Sequence, residues 1–374
     1  MNTIPTINVM VTTGGTGGHI FPGIAVARAI EDLGHRVFWV GTESGLESKL
    51  VPEAKIAFEA LSFRGVRGKG WRTTLKAPFA LTAAVLKSMS IIKRRRPDVV
   101  IGFGGFASFP GVLAALFKRV PVVIHESNAV VGLANKVLAK KAAHVMVGFK
   151  GVLDEGNNPR VTYSGNPVRD QMLSQKKPDD RFKNRTGVLH LLVVGGSLGA
   201  RVINETVPRA LALLPEEVRP TVTHQSGHRH LEALKAQYQE AKVKATCVPF
   251  IEDMGEAYAR ADVVVCRGGS MTVSELTAVG AASVIVPFAG AIADEQSANA
   301  DGLVHVGAAQ KIPQNEFTPE VLADFIKNIS REQLRGMANA AYQCRSADAQ
   351  NKIAAVCIDL GLQYHERQGG RDAA

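Results

Sequence analysis

Of 374 residues, 46% are hydrophobic, 21% charged and only 6% aromatic, with 36 glycines. That length exceeds one ordinary domain and fits two of roughly 100–200 residues, and the apolar content excludes a disordered chain. The longest apolar runs fall well short of the roughly 20 residues that cross a bilayer, so no membrane-spanning helix is expected.

The net charge of +10 is unevenly placed. Residues 1–165 carry 21 Lys and Arg against 10 Asp and Glu, whereas residues 166–374 carry 23 against 24. Residues 62–97 hold ten basic side chains and no acid, which points to a polyanionic partner. The first five residues lack the basic segment of an export signal. The four cysteines, Cys247, Cys266, Cys344 and Cys357, form no C-x-x-C pair. They read as buried thiols of a reducing compartment, the cytoplasm.

In chain order, the first half offers apolar strands at 8–11, 37–40, 98–101, 122–125 and 144–147. The second offers them at 188–194, 221–224, 244–248, 262–266 and 283–286. Helical patterns separate them, so each half reads as a parallel sheet covered on both faces. A polar stretch at 154–186 contains the junction, placed near Gly165, Asn166 and Pro167. The expected domains are 1–165, 166–345 and a C-terminal helix and tail at 346–374 packing back on the first. Both halves begin with a strand, a glycine-rich turn (Gly14-Gly15-Thr16-Gly17-Gly18-His19; Gly195-Gly196-Ser197-Leu198-Gly199-Ala200) and a helix. The fold class is α/β: two Rossmann-like, doubly wound sheets that would face each other across a cleft, with ligands beyond the carboxyl ends of the strands.

Such turns present main-chain N–H groups and the positive end of a helix dipole to an anion. Neither is a Walker loop or a dinucleotide fingerprint. Gly195-x-Ser197-x-Gly199 also fits a nucleophile elbow, with Asp262, Asp294 and His305 following, so a serine hydrolase is the rival. His125-Glu126 begins a zincin motif that fails at Ala129, and no D-x-D occurs; no catalytic metal or cofactor is indicated. A third turn, Arg267-Gly268-Gly269, precedes Ser270-Met271-Thr272-Val273-Ser274-Glu275. Glu275 could hold the two hydroxyls of a ribose, or Thr272-x-x-Glu275 could be a capping box serving only the helix; spacing leaves both open. The cluster Asp294-Glu295-Gln296-Ser297-Ala298-Asn299 suits sugar hydroxyls, although an ordinary helix N-terminus would look the same. His19, at the start of the first long helix, suits a general base because the helix end favours the neutral imidazole.

Residues 71–96 combine basic side chains with two apolar stripes, Leu75, Phe79 and Leu86 on one and Leu81, Val85 and Ile92 on the other. One stripe can face a core and leave the other for an anionic bilayer, with Lys76, Lys87 and Arg94 along its edge. Pro78 suggests a helix starting only there. Aromatics interleaved with the basic residues are nearly absent, which argues against nucleic acid. A non-catalytic basic module on membranes or nucleic acid is the remaining alternative.

These motifs, with Phe21-Pro22, Gly104-Gly105-Phe106, His125-Glu126-Ser127-Asn128 and Gly165-Asn166-Pro167-Val168-Arg169, occur in an order that closely resembles the MurG family of N-acetylglucosaminyltransferases, over about residues 7–360. The resemblance implies a GT-B enzyme that moves N-acetylglucosamine from UDP-N-acetylglucosamine to undecaprenyl-pyrophosphoryl-N-acetylmuramoyl-pentapeptide (lipid I) with inversion. It implies a peripheral position on the cytoplasmic face of the bacterial inner membrane, beside other cell-wall synthesis proteins, and a different lipid acceptor as the nearest alternative. By position, the family's donor site maps to Thr16, Gly17, Gly18, Asn128, Arg169 and Ser197, then Ile251, Ser270 to Glu275 and Gln296. The acceptor pyrophosphate would lie against the first glycine turn, and its polyprenyl tail beside Trp71, Leu75, Phe79, Leu86 and Phe117. Phe106 stands where a tyrosine is common and Glu295 where an amide is expected.

Overall fold

The computed structural model describes residues 5–63, 71–196, 199–291 and 294–372. The chain forms two compact units, Met1–Pro167 with Asp348–Ala374, and Val168–Ala347.

The first unit carries β1 (Asn8–Thr12), β2 (Arg36–Thr42), β3 (Ala57–Leu61), β4 (Val99–Gly102), β5 (Val122–Glu126), β6 (His144–Val147) and β7 (Val161–Tyr163). Its main helices are α1 (Gly17–Asp32), α2 (Glu47–Glu53), α3 (Trp71–Arg95), α4 (Ser108–Phe117) and α5 (Leu133–Leu138). The strands pair in the order β3-β2-β1-β4-β5-β6-β7, every pair parallel. Alternation along the strands builds two cores. Met10, Val100, Val122 and Ile124 meet Val85, Ile91 and Val112 of α3 and α4 on one face. Val9, Val11, Ile101 and Val123 meet Ile20, Val26 and Ile30 of α1 on the other.

The second unit carries β8 (His190–Val194), β9 (Thr221–Gln225), β10 (Thr246–Val248), β11 (Val263–Cys266), β12 (Ser283–Ile285) and β13 (Ala309–Lys311). These pair, again all parallel, as β10-β9-β8-β11-β12-β13. Helices α6 (Asp170–Leu173), α7 (Pro178–Phe182), α8 (Arg201–Ala212), α9 (Leu231–Glu240) and α10 (Met254–Arg260) come first. Next are α11 (Ser270–Val279), α12 (Glu295–His305), α13 (Pro319–Asn328) and α14 (Arg331–Gln343). Leu191, Val193, Val222, Val263 and Val284 pack on Ile203, Val207, Leu234 and Leu322. The last helix, α15 (Ala349–Asp372), belongs to the first unit, where Ile353, Ala354 and Cys357 enter the core beside α1.

Three strands, β3, β7 and β13, escape the apolar-run reading. Each lies at or next to a sheet edge, is three to five residues long and mixes exposed with buried positions, so it has no continuous apolar run to detect. The strands expected from 98, 188, 244 and 262 begin at Val99, His190, Thr246 and Val263. The reason at 98 and 262 is shared. Asp98 donates its N–H to the Asn8 carbonyl and accepts the Asn8 N–H on Oδ2, and Asp262 does the same with His190, all four bonds at 2.8 Å. Each carboxylate thus anchors the first strand of its unit to the start of a neighbouring strand.

Helix α3 continues through Pro78 instead of starting there. Val85 and Ile92 are buried, while Phe79 is 80% and Leu86 60% exposed. The side chains of Trp71, Leu75 and Lys76 lie outside the described residues. Arg94 and Arg95 are held by Glu59 of β3 at 2.6 and 2.7 Å, which neutralises part of the basic excess. Cys266 and Cys357 are buried, but Cys247 and Cys344 are only half-buried; all four are free thiols. Among the described residues, no helix is long and apolar enough to cross a membrane.

Candidate active site

In each unit the chain reverses its direction of winding at one place, between β1 and β4 and between β8 and β11. Loops at the carboxyl ends of those strands diverge and leave a crevice, where ligands of open α/β sheets bind. In the first unit the Thr13–Gly18 turn follows β1, Gly104-Gly105 follows β4 and Ser127-Asn128 follows β5. Thr16 is the exposed N-cap of α1, and Gly17, Gly18 and His19 form its first turn. Gly105 has φ +74°, and a Cβ there would strike the Gly14 carbonyl, so the two turns touch only because residue 105 is glycine. The Phe106 ring lies beside Gly15 and 6.0 Å from that of Phe63.

Two sequence motifs meet here. His125 donates from Nε2 to the Gly165 carbonyl at 3.2 Å, and Asn166 donates to the Ser127 carbonyl at 3.0 Å. Glu126 is buried and accepts from the Asn128 N–H (3.0 Å), the Gly132 N–H (3.1 Å) and Asn135 Nδ2 (3.0 Å). It organises the loop that presents Asn128. The His19 ring packs against Gly104 and Gly105, where added Cβ atoms would stand 3.7 and 3.6 Å from it. Its Nδ1 is buried without a hydrogen bond of ordinary geometry. Burial lowers the His19 pKa, with the Glu126 charge and the Phe103 carbonyl opposing. The imidazole is therefore neutral at pH 7 for a different reason from the helix end alone.

In the second unit the Gly195–Ala200 turn follows β8 and Arg267–Gly269 follows β11. Ser197 lies outside the described residues. The turn rests on a buried polar chain: Tyr238 donates its hydroxyl to His224 Nδ1 (2.9 Å), and His224 Nε2 donates to Asn204 Oδ1 (3.1 Å). Helix α11 starts at Ser270 with Gly269 as N-cap and no side-chain cap. Glu275 is therefore in the second turn, not the first, and Thr272-x-x-Glu275 is no capping box. Glu275 instead accepts from Arg169 at 3.2 Å and from the Tyr258 hydroxyl at 3.4 Å, with 15% of its side chain exposed. Burial raises its pKa, against the pull of Arg169 and Tyr258. Tyr258, fully buried on α10, was not singled out by any motif; an isolated aromatic in an amphipathic helix carries no signal.

Other expected residues are less directly placed. Val273 is buried and donates its N–H to Gly269, and Ser274 Oγ bonds the Ser270 carbonyl, so both serve the helix. Met271 and Thr272 are half-buried, Ser270 is buried at the helix start, and Ile251 is half-buried between β10 and α10. Gln296, in the first turn of α12, accepts the Phe288 N–H at 3.0 Å, and Asn299 donates to the Gly268 carbonyl at 3.1 Å. Of the expected substrate residues, Thr16, Gly17, Gly18 and Asn128 belong to the first unit and the others to the second.

The hydrolase reading fails on Asp262. Its carboxylate is fully buried between Arg185 (2.7 Å) and Arg331 (3.3 Å), at the end of the sheet where β8 begins. The Gly195 turn leaves the other end of β8, about 13 Å away at ~3.3 Å per residue. His305 closes α12 in the exposed last turn.

Residues 9–147 match the glycosyltransferase family 28 N-terminal domain and residues 190–355 the family 28 C-terminal domain. The chain belongs to glycosyltransferase family 28. Its relatives within that family include the UDP-N-acetylglucosamine--N-acetylmuramyl-(pentapeptide) pyrophosphoryl-undecaprenol N-acetylglucosamine transferase of Cupriavidus metallidurans, 47% identical over 94% of this chain and 98% of that protein. The Dechloromonas aromatica protein of the same name is 46% identical over 94% and 98%. The crystal structure of Acinetobacter baumannii MurG superposes with a TM-score of 0.79 at 37% identity, covering 94% of this family 28 chain and 99% of that one. The calicheamicin glycosyltransferase CalG4 (TM-score 0.64, 16% identity, 94% and 98% covered) shares the fold, which is GT-B.

Burial gives this family 28 enzyme a pH-dependent fold. It lowers the His125 pKa to about 4 and that of His224 to about 3. The unfolded chain, with ordinary imidazoles, takes up these protons below pH ~6.5. The stability both groups confer is thus complete above that pH and is lost as pH falls toward 4 and 3. Between pH 7.5 and 5 each unit loses about 2 kcal/mol from its own histidine. Urea unfolding at the two pH values measures this, and His224→Asn flattens the pH dependence of the second unit alone; unchanged slopes would refute the assignment.

Proposed function

We propose that this chain transfers N-acetylglucosamine from UDP-N-acetylglucosamine to the 4-hydroxyl of undecaprenyl-pyrophosphoryl-N-acetylmuramoyl-pentapeptide, inverting the anomeric carbon. The observation that carries this reading is Glu275 with Arg169 beside the β8/β11 crevice, in a chain similar over 94% of its length to transferases of that name. Glu275 takes the ribose hydroxyls of uridine, for which its two oxygens are suited. Backbone N–H groups at the start of α11 and in the Gly195 turn stabilise the charge that grows on the departing UDP. Gln296 faces the sugar, Ile251 offers its backbone to uracil, and Ser197 joins the second glycine turn around the diphosphate.

The first unit handles the acceptor. Its pyrophosphate lies at Thr16, Gly17 and Gly18, where the opening N–H groups of α1 have no intrahelical partner. The neutral His19 takes the proton of the attacking 4-hydroxyl, and the Glu126 charge steadies the resulting imidazolium. Phe79, Leu86 and Phe117, all more than half exposed, with Lys87, Lys118 and Arg119 near them in sequence, rest on an anionic bilayer holding the polyprenyl tail. On this reading the enzyme works peripherally, at the cytoplasmic face of a bacterial inner membrane.

One experiment tests both parts. UDP is released from UDP-N-acetylglucosamine only when vesicles carry the lipid acceptor, and UDP-glucose does not substitute. A Phe79→Ser, Leu86→Ser, Phe117→Ser variant loses about 10-fold or more on anionic vesicles while a detergent-dispersed acceptor is turned over normally. Release without acceptor, or equal loss in detergent, contradicts the reading.

A further inference from the structure

Glu47 opens α2, and its side chain is completely buried. Oε1 accepts the Thr42 N–H at 2.9 Å and the Thr42 hydroxyl at 2.6 Å, and Oε2 accepts the Gly15 N–H at 3.2 Å. A Cβ at Gly14 or Gly45 would collide with this carboxyl group, and one at Gly41 of β2 with the Cγ that carries it. Three glycines, two from loops and one from a strand, thus clear the space for one side chain. A buried carboxylate is expensive unless its oxygens are filled, and here one of the filling groups belongs to the first glycine turn.

The bond fixes the Gly14–Gly15 peptide from one side. On the other, the Gly14 carbonyl lies against Gly105, and Gly104 and Gly105 form the wall on which the His19 ring rests. Gly15, with φ +109°, turns its N–H inward to Glu47 while α1 begins two residues later. The Gly15 N–H is consequently committed to protein, so anion binding falls to the groups that follow it.

We propose that Glu47 is a positioning residue: through the Gly14–Gly15 peptide and Gly105 it sets the orientation of the His19 imidazole toward the acceptor. This rests on the reading of the first unit as the acceptor site with His19 as base, and the test separates the two. Glu47→Gln keeps the volume but has one acceptor oxygen and an NH2 group, so it cannot accept from Gly15 and Thr42 together. The ring NMR signals of His19, assigned by their loss in His19→Ala, shift in the free Glu47→Gln protein. The kcat with lipid acceptor falls about 10-fold or more, as small misplacements of a reacting group do. Affinity for UDP alone, whose proposed partners Glu275 and Ile251 belong to the second unit, stays within about 2-fold of wild type, a factor worth less than 0.5 kcal/mol.

Thr42→Val, which removes only the hydroxyl bond, shifts the same signals by less and carries the test if Glu47→Gln does not fold. Unmoved His19 signals in the folded variant overturn the proposal whatever the rate. Moved signals with an unchanged kcat uphold the positioning and refute His19 as the base. A parallel fall in UDP affinity also overturns it, because the effect would then be general to the fold.

Discussion

Glu275→Ala lowers kcat/KM for UDP-N-acetylglucosamine by about 100-fold or more, because a hydrogen bond to a charged group contributes ~1.5–3 kcal/mol and two are lost. The expectation follows from the carboxylate's setting. It is fixed in the second turn of α11 by Arg169 at 3.2 Å and the buried Tyr258 hydroxyl at 3.4 Å, yet keeps 15% of its side chain open. Burial already disfavours its charge, so hydroxyl donors from a ribose compensate more here than they would in water. Glu275→Gln retains the shape and loses the charge, and its defect is intermediate. Calorimetry with UDP and steady-state kinetics measure both variants. A donor KM within about 3-fold of wild type, less than 0.7 kcal/mol, would remove Glu275 from the site. A capping role would lower stability while leaving affinity intact, so unfolding measured in parallel separates the two causes.

Asp262→Ala destabilises the second unit by about 3–5 kcal/mol, the cost of stripping the partner from a buried charge. Burial alone would raise the Asp262 pKa, but the bonds from Arg185, the His190 N–H and Arg331 prevail and hold it below the usual carboxylate range. The residue joins three separate parts of the unit: the segment before β8, the start of β11 and α14. The matching change in the first unit, Asp98→Ala, removes the same strand bond to Asn8, but among the described residues its ionic partner is His365 alone, at 3.1 Å and half exposed. It costs about 1–2 kcal/mol. Urea unfolding of both variants gives the comparison. Equal losses would show that the strand bond, and not the arginine pair, supplies the stability.

The central strands were legible because they are apolar on both faces, and the three glycine turns because each sits where such a strand stops. Parallel pairing then places all those turns at one end of each sheet, whereas the meeting of His125 with Gly165 and of His19 with Gly104 emerged only in the structure. What stayed hidden depends on long-range partners. Nothing near Glu275 reports that α11 begins at Ser270, since a glycine N-cap leaves no side-chain signature. Glu47 is one acid in a polar loop, and its role exists only once β1, β2 and α2 converge on it. Asp262 resembled a triad member by order alone, and only the sheet shows it at the wrong end.

The amino-acid sequence by itself determined two repeated α/β units, the glycine turns that end their central strands and the family, because periodicity and glycine act locally. The tertiary structure decided which carboxylates bind arginine, which face main-chain N–H groups and which imidazoles stay neutral. Those properties are set by burial and by neighbours many residues away, and folding alone supplies them.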